Sequence, residues 1–523
     1  MSKVAETASI RQPISPWLIA MTVTLATFME VLDTSIANVA LPHIAGSLGA
    51  TPDEGTWVIT SYLVSSAIVL PMSAWLSNRI GRKRFYMACV AIFTASSVLC
   101  GLAPSLPLLI IFRIIQGVGG GGLQPSEQAI LADTFEPKQR SMAFAIYGMA
   151  VVVAPAIGPT LGGWITDNYS WHWIFFINLP IGLLSLFLTH RLIHDPEHIK
   201  KQEVRERRRH DTDYMGISLI VIGVGFLQYA LDKGQELGWL SSHAIAVALG
   251  VGTVSLGILI WREVTHPNPI VNLRLLGLRN FGTATLFNFV LGMVLNGSTI
   301  LIPQFLQTQL GYTSERAGWA LSPGGVALAI LMPVAGALAM KIDARKLVAF
   351  GFIVTSVSLF KLTFVSTTID FNSMVWLRVL QVAGLPFIFI PISTLSYVGI
   401  SRDQNNQVSG ISNFSRNLGG AIGVSILTTF IARHQQISRS DLTSNLNQGN
   451  VFFKNYFAAL TSQAHGVTPA LARLDQLVRQ QANTLAFVNA FWVMGVAVAC
   501  LVPLPFLMKR PSKSDMAAAE GMH

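Results

Sequence analysis

Apolar segments long enough to cross a membrane recur along almost the whole of this sequence. About 20 apolar residues cover the roughly 30 Å hydrocarbon core of a bilayer, and about fourteen segments of that length occur here. The sequence therefore predicts an all-α polytopic membrane protein. The predicted helices lie within 17–41, 55–77, 84–103, 107–133, 141–163, 173–193, 214–233, 243–262, 281–306, 315–340, 347–366, 375–400, 406–433 and 485–508.

Composition supports this class and argues against others. Of the 523 residues, 51% are hydrophobic and only 12% are charged, whereas soluble domains carry about 25% charged residues.

The three cysteines, Cys89, Cys100 and Cys500, lie in apolar runs without metal or disulfide spacing, so we expect them to be core residues. The first apolar segment is too long for a cleavable signal and is predicted to be retained. No nucleotide loop, metal-ligand spacing or nucleophile–base set indicates an enzyme or a cofactor.

Lysine and arginine are distributed unevenly among the loops. The loops after the second, fourth, sixth and tenth predicted helices are basic, whereas the short loops after the first, third and fifth contain neither residue. Cytoplasmic loops carry the excess of positive charge, so both termini are predicted to be cytoplasmic. The net charge of +10 is then explained by topology and lipid attraction, not by nucleic-acid binding.

An internal repeat divides the chain into two halves. Ala74–Arg84 returns as Gly336–Lys346, and Arg113–Gln116 returns as Arg378–Gln381. Parallel repeats of this kind place a substrate site between the halves near the membrane midplane. The predicted units are an N-terminal six-helix half (1–193), a basic cytoplasmic linker (194–213), two inserted helices (214–262), a C-terminal six-helix half (263–508) and a cytoplasmic tail (509–523). A large external loop, 434–484, is either a partly helical cap or a docking surface.

Charged residues inside the predicted helices are the first functional candidates. Glu30 and Asp33 lie on one face of the first helix because residues three apart share a face. A charge at such depth costs roughly 2.5–3.5 kcal/mol, so this face should line a cavity or the protein interior. From the helix ends at 1.5 Å per residue, Arg113 lies roughly 9 Å and Asp33 about 13 Å deep. The two can therefore meet, either as a static structural pair or as a proton-coupling pair.

Further acids are open to two interpretations each. Glu30 is a second proton-coupling candidate or a contact for cationic substrates. Glu127 is a proton exit relay or an acid of the cytoplasmic-side interface. Asp133 is expected at the membrane surface without a special role.

Polar and aromatic side chains in mid-helix are candidates for the substrate cavity. For each one, interhelical hydrogen bonding, worth about 0.6 kcal/mol on average, is the alternative. Amide, aromatic and Met linings suit amphipathic ligands. The candidates are Phe28, Met29, Gln116, Gln124, Asn288, Asn296, Gln304 and Gln381.

Two further motifs concern movement. The tight basic loop after the second helix, formed by Asn78, Arg79, Gly81 and Arg82, is by itself an ordinary positive-inside loop, and it is a candidate gating loop only through the family resemblance given next. In the fifth helix, small residues and prolines permit close helix packing and a hinge. The hinge candidates are Pro155, Gly158, Pro159, Gly162 and Gly163.

Several of these motifs resemble those of a known family. Leu32–Pro42, Arg79–Arg84, Arg113–Gly117 and Gly158–Gly163 are similar to the signatures of the major facilitator superfamily, and specifically of its fourteen-helix drug:proton antiporters. The resemblance covers essentially the whole chain. Ala74 and Asn78 depart from the family's usual Gly and Asp in the loop, which puts the usual gating latch in doubt. Met340 and Asp343 depart similarly in the second repeat.

The resemblance implies a proton-driven exporter of hydrophobic or amphipathic toxic compounds. The segments GTWVIT, WIFFINLPIG and NPIV are similar to those of family members that form the inner-membrane part of tripartite multidrug pumps. That likeness implies a periplasmic adaptor and an outer-membrane channel as partners, and the loop 434–484 as the adaptor contact. The alternatives are a dedicated exporter of one endogenous molecule, such as a siderophore or fatty acid, and a non-transporting membrane sensor or scaffold.

Overall fold

The computed structural model describes residues 15–196, 199–200, 203–204, 212–444, 446 and 449–508. Within these ranges the chain folds as a bundle of fourteen long helices without β-strands. The first seven are α1 (Pro16–Ser47), α2 (Trp57–Ile80), α3 (Arg82–Gly101), α4 (Leu106–Thr134), α5 (Arg140–Asn168), α6 (Trp173–Leu192) and α7 (Tyr214–Lys233). The others are α8 (His243–Thr265), α9 (Arg279–Gln309), α10 (Ser314–Ala339), α11 (Ala344–Lys361), α12 (Phe371–Leu395), α13 (Asn405–Ser444) and α14 (Val467–Ala499).

The prediction of an all-α bundle of about fourteen helices is confirmed. Thirteen helices of the described chain are long and apolar enough to span a membrane, and the exception is α13. That helix begins with a polar stretch that includes Asn405, Asn406 and Asn413, all of which are buried. Their side chains bond to the N-terminal half instead of facing lipid, which is where polar residues are tolerated in a membrane protein.

The two halves meet most extensively along two helix pairs. Helix α5 packs against α10, and α2 packs against α13. The inserted helices α7 and α8 pack on each other, and α7 also contacts α2 and α13. The inserted pair therefore lies beside the line where the halves meet.

The bundle has two distinct ends. The end that carries the α2–α3, α4–α5 and α12–α13 connections is called the basic face, because it includes the cluster Arg79–Arg84. The α1–α2 and α13–α14 connections lie at the opposite face. At Gly81, φ is +97°, a left-handed conformation that glycine adopts without strain, and it allows the tight turn into α3.

The predicted external loop 434–484 is largely helical. Helix α13 has 40 residues, about 60 Å at 1.5 Å per residue, so it extends well beyond a hydrocarbon core. The segment consists of the end of α13, a helix at Val451–Gln463 and the beginning of α14, with Arg439 and Asp475 2.8 Å apart between the extensions. The predicted linker is described only in part, and the predicted tail 509–523 lies outside the described residues.

The cysteines do not all belong to the core. Cys89 and Cys100 are buried, as expected, but Cys500 is exposed. The expectation for Cys500 was wrong because this residue follows the last turn of α14 and points away from the packed side of the bundle.

Candidate functional site

Asp33 and Arg113 form a buried ion pair at the centre of the N-terminal half. Arg113 Nη1 lies 2.6 Å from Asp33 Oδ2, and the side chains are 0% and 1% exposed. The other carboxylate oxygen, Oδ1, accepts hydrogen bonds from Gln116 Nε2 at 3.0 Å and Asn178 Nδ2 at 2.7 Å. Both oxygens of Asp33 are thus satisfied by groups from α4 and α6.

Arg113 is fixed by further contacts. Its Nε donates to the carbonyl oxygen of Val58 at 3.0 Å, and its Nη1 donates to Gln116 Oε1 at 2.9 Å. The Tyr62 ring covers the guanidinium at 4.5 Å. Within the described chain, Nη2 has no hydrogen-bond partner, so one donor of a buried cation remains available.

The glycine run of α4 brings Arg113 and Gln116 to this position. A Cβ atom at Gly117 would clash with Ser65 and lie 2.5 Å from the carbonyl oxygen of Tyr62, and one at Gly119 would lie 2.8 Å from the carbonyl oxygen of Cys89. Close backbone approach to both α2 and α3 therefore requires glycine. The helix is also interrupted by a turn at Gly121–Gly122.

Glu30 lies one turn from Asp33 and faces a cavity between the halves. Gln124 Nε2 donates to Glu30 Oε2 at 2.7 Å, and Tyr62 Oη donates to Oε1 at 3.3 Å. The oxygen of the same Gln124 amide accepts from Arg416 Nη2 of α13 at 2.7 Å and from Tyr147 Oη at 3.2 Å. Gln124 therefore connects an acid of the N-terminal half to a cation of the C-terminal half.

Glu127 is buried away from this cavity. Tyr86 Oη donates to its Oε1 at 3.3 Å, and Oε2 has no hydrogen-bond partner among the described residues. The side chain is 0% exposed. Glu127 thus lies within the N-terminal half, so its position does not fit the interface alternative.

The cavity has a volume of about 620 Å³ and is walled by α1, α2, α4, α5, α7, α9 and α13. Its charged lining residues are Glu30, Asp232, Glu236 and Arg416. Apolar side chains such as Leu63, Val151 and Leu295 form much of the remaining surface. A cavity of this size and mixed lining suits one drug-sized amphipathic molecule.

Only some of the predicted cavity residues line it. Gln124 and Asn296 do. Asn288 instead borders a small polar gap near Asn413 and Arg416. The other predicted lining residues are Phe28, Met29, Gln116, Gln304 and Gln381, and none of them faces the cavity.

The reasons for these misses are geometric. Phe28 and Met29 are turned 200° and 100° away from Glu30 on α1, at about 100° per residue, and pack among apolar side chains. Gln116 is bonded to Asp33, and Gln381 Nε2 donates to Ser298 Oγ at 3.1 Å. Gln304 is exposed on the outside of α9.

Polar contacts between the halves close the bundle at the basic face. Asn406 Nδ2 donates to Asn78 Oδ1 at 2.5 Å, and Asn405 Nδ2 donates to Asp133 Oδ1 at 2.5 Å. Asp133 also pairs with Arg82. The side chain of Asp133 is 4% exposed and joins the two halves through Asn405, and its expected place at the membrane surface stays a prediction. Asn78, which stands where the family usually has Asp, forms an amide pair with Asn406.

The other loop residues contact the chain that follows α6. Arg79 Nη1 donates to Thr212 Oγ1 at 2.7 Å, and Arg84 pairs with Glu203 at 2.9 Å. A Cβ atom at Gly81 would lie 2.9 Å from Glu203 Oε2. The candidate gating loop is thus packed against part of the predicted linker.

The candidate hinge lies in an unbroken helix. Pro155 and Pro159 are inside α5, and Cβ atoms at Gly158 and Gly162 would collide with Ser35 and Ile36 of α1. A Cβ atom at Gly163 would meet nothing within 4 Å. Two of the glycines therefore serve close packing on α1, and hinge motion stays a prediction.

Comparisons with known proteins identify the family. The model of the Major Facilitator Superfamily matches residues 23–424. The chain belongs to this superfamily. It is 38% identical to the multidrug export protein EmrB of Escherichia coli K12, covering 94% of this chain and 96% of that protein. It is 37% identical to the fatty acid resistance protein FarB of Neisseria gonorrhoeae, covering 95% and 96%.

A solved structure supports the superfamily fold. The proton:xylose symporter XylE, bound to 6-bromo-6-deoxy-D-glucose, aligns with a TM-score of 0.61, covering 96% of this chain and 98% of that chain. At 15% identity this likeness concerns the fold alone. Together the family, its transporter relatives and the helices describe a multi-pass membrane transporter, so the predicted family and fold are confirmed.

Four side chains that line the cavity or contact the acids Glu30 and Asp33 were not predicted from the sequence. Arg416 and Asp232 are charges within predicted spans, which insertion cost alone could have singled out. Tyr62 and Asn178 carry no charge, and only the packing of α2 and α6 around Asp33 identifies them.

Proposed function

We propose that this transporter exports hydrophobic and amphipathic toxic compounds across the bacterial inner membrane in exchange for protons. The observation that carries the proposal is the buried Asp33–Arg113 pair beside a cavity between the two halves. The similarity to EmrB and FarB over nearly the full chain supports export of such compounds.

The ion pair gives protonation a structural consequence. Removing one charge from a buried pair is unfavourable by about 3–5 kcal/mol, because the other charge remains uncompensated. A proton on Asp33 therefore leaves Arg113 in a state that favours rearrangement. Deprotonation restores the pair, so the two conformations of an exchange cycle differ in their affinity for a proton.

The cavity supplies the second site that exchange requires. With the basic face at the cytoplasm, the contacts at Asn78–Asn406 and Asp133–Asn405 close the cytoplasmic side. Protons from the other side reach Glu30, and Tyr62 contacts Glu30 and covers Arg113. Glu30 is thus the proposed entry relay. Glu127, which lies nearer the basic face, is the proposed exit relay.

The outer segment 434–484 is the proposed docking region for a periplasmic adaptor, with an outer-membrane channel completing a tripartite pump. Helix Val451–Gln463 exposes Val451, Phe452 and Tyr456, of which Phe452 is 88% exposed. Exposed aromatic side chains of this kind are typical of protein contacts.

Export of fatty acids is the second candidate. The identity to FarB is 37% over 95% of the chain, compared with 38% over 94% for EmrB. The two candidates differ in the substrates that the cavity accepts, and both use the same coupling pair.

The test uses proteoliposomes with an imposed pH gradient. Asp33→Asn should abolish gradient-driven movement of a lipophilic dye while dye-for-dye exchange without a gradient continues, because substrate binding does not require the proton. Asp53→Asn, an exposed carboxylate, is the matched control and should behave as the wild type. Gradient-driven movement that persists in Asp33→Asn would contradict the role of Asp33 and direct attention to Glu30 and Glu127.

A further inference from the structure

The inserted helix α7 forms one wall of the cavity. Five residues at its C-terminal end and just beyond it line the cavity. They are Gln228, Leu231, Asp232, Gln235 and Glu236. Gln228 and Asp232 are four residues apart on α7, so they share one face of the helix, and Glu236 lies in the turn that follows. The insertion is thus part of the site itself, beyond what the two six-helix halves provide.

Gln228 presents an unused amide to the cavity. Its side chain is buried, with 6% exposure, and lines the cavity. No hydrogen bond to this amide occurs among the residues that the structure describes. Because the amide faces the cavity and no protein group occupies it, a bound molecule that offers a polar group here gains a hydrogen bond without displacing a protein contact.

Asp232 is an unpaired carboxylate nearer the cavity mouth. It accepts a hydrogen bond from Thr60 of α2, and no cation within the described ranges forms an ion pair with it. The adjacent Lys233 is directed elsewhere, since it is 3% exposed, donates to Thr56 and lies 5.8 Å from the Trp57 ring.

The charge balance of the cavity follows from these contacts. Lys233 Nζ lies 2.7 Å from Glu236 and neutralises it. Of the four charged lining residues, Glu30, Asp232 and Arg416 remain. Arg416 is 9% exposed and is held by Gln124 and Asn413 at the inner end. The mouth of the cavity is therefore negative, and its inner end carries both signs.

We propose that the α7 face formed by Gln228 and Asp232 is a substrate-binding surface that selects cationic amphiphiles. An ammonium or other organic cation binds the Asp232 carboxylate, a polar group of the same molecule bonds to Gln228, and apolar parts lie against Leu63, Leu231 and Leu295. This rests on the proposed function, because it names the substrate class of the same cavity. It also assigns the inserted helix pair a part in substrate selection.

Direct binding tests the surface independently of proton coupling. Ethidium is the cationic probe and oleate the anionic one, each titrated against the purified full-length protein. Asp232→Asn should weaken ethidium binding about tenfold, or about 1.4 kcal/mol, and leave oleate binding unchanged or tighter. Gln228→Glu should tighten ethidium binding, because it adds a second carboxylate on the same face. Asp53→Asn is the matched control.

The outcomes separate the alternatives. Equal weakening of both probes in Asp232→Asn would indicate a general structural role, and unchanged ethidium binding in both α7 variants would show that the surface does not contact the cation. Either result overturns the proposal. Failure of the proposed function is distinguishable, since it would appear as ethidium binding by the wild type without gradient-driven movement in proteoliposomes. High salt should reduce the Asp232 effect, because exposed charges are screened.

Discussion

At the scale of single residues, Gln124 joins the two halves because its one side chain bonds to both of them. One amide donates to Glu30 and accepts from Arg416 and Tyr147. We expect this three-way connection to transmit a change at Glu30 to α13, because the amide cannot turn without breaking bonds on both sides. Gln124 is therefore a positioning residue between the proposed proton entry and the C-terminal half.

Gln124→Leu should lower thermal stability and change the pH dependence of transport. Leucine has a similar size, so the main effect is the loss of partners for Glu30 and Arg416, and each unsatisfied buried group costs about 1–3 kcal/mol. Thermal unfolding in detergent and transport rate against pH are the measurements. Gln304→Leu makes the same chemical change at an exposed site and should leave both unchanged. A shift in stability without any change in the pH profile would contradict the positioning role.

The internal repeat is also visible in the hydrogen bonds of corresponding residues in the two halves. Arg378 Nη1 donates to Gln381 Oε1 at 2.6 Å, as Arg113 does to Gln116, and Gln381 bonds to Ser298 as Gln116 bonds to Asp33. Ser298 thus takes the position of Asp33. The C-terminal half keeps the arginine but not its carboxylate.

Ser298→Asp should consequently be tolerated in the presence of Arg378. The new carboxylate gains a cation in the buried site, whereas in Ser298→Asp with Arg378→Gln it has none, which costs about 3–5 kcal/mol. Unfolding temperatures of the single and double variants, with Arg378→Gln alone as control, measure the difference. Equal destabilisation in both backgrounds would show that the two residues do not interact.

At the scale of elements, the sequence of α4 contains glycines where any side chain would clash with α2 or α3. Its glycines let α2 and α3 approach its backbone, and a turn at Gly121–Gly122 separates the segment with Arg113 from the segment with Glu127. Close packing and an interruption of the helix therefore both occur in this glycine run.

Gly117→Ala should displace α4 and separate Arg113 from Asp33. The added Cβ atom would lie 2.5 Å from the Tyr62 carbonyl oxygen, and overpacking of this kind costs about 1–3 kcal/mol, more than alanine gains in helix propensity. Gly250→Ala in α8 is the matched control because open space surrounds that position. We expect a lower unfolding temperature and slower gradient-driven transport only in Gly117→Ala. Equal behaviour of both variants would mean that the packing of α4 is not critical.

At the scale of the molecule, periodicity and charge were sufficient to predict the helical bundle, but not to predict which side chains line its cavity. Apolar length identifies helices, and depth counting brought Asp33 and Arg113 to comparable levels, where the structure joins them. Which face of a helix meets a cavity depends on its rotation, and this is set by neighbours far away in sequence. For this reason Phe28 and Met29 were assigned to the cavity, whereas Gln228 and Asp232 on an inserted helix were not.

The structure is closed at the basic face and open toward the other, which predicts a one-sided pattern of chemical labelling. In a Cys500→Ser background, which removes the exposed thiol, Thr428→Cys lies in the cavity lining and should react with a membrane-impermeant maleimide from the opposite face. Ser412→Cys lies deeper on the same helix, is buried, and should not react from the basic face.

Adding Asn406→Ala to Ser412→Cys should then permit that reaction, because the contact with Asn78 is lost. One net hydrogen bond is worth about 0.5–1.5 kcal/mol, so the labelling rate should rise several-fold without unfolding. Asn417→Ala, in the cavity on the same helix, is the control. Equal labelling of Ser412→Cys with and without the Asn406→Ala substitution would mean that the amide pair does not hold the halves together. Closure at the basic face would then depend on the contacts of Asp133 with Arg82 and Asn405.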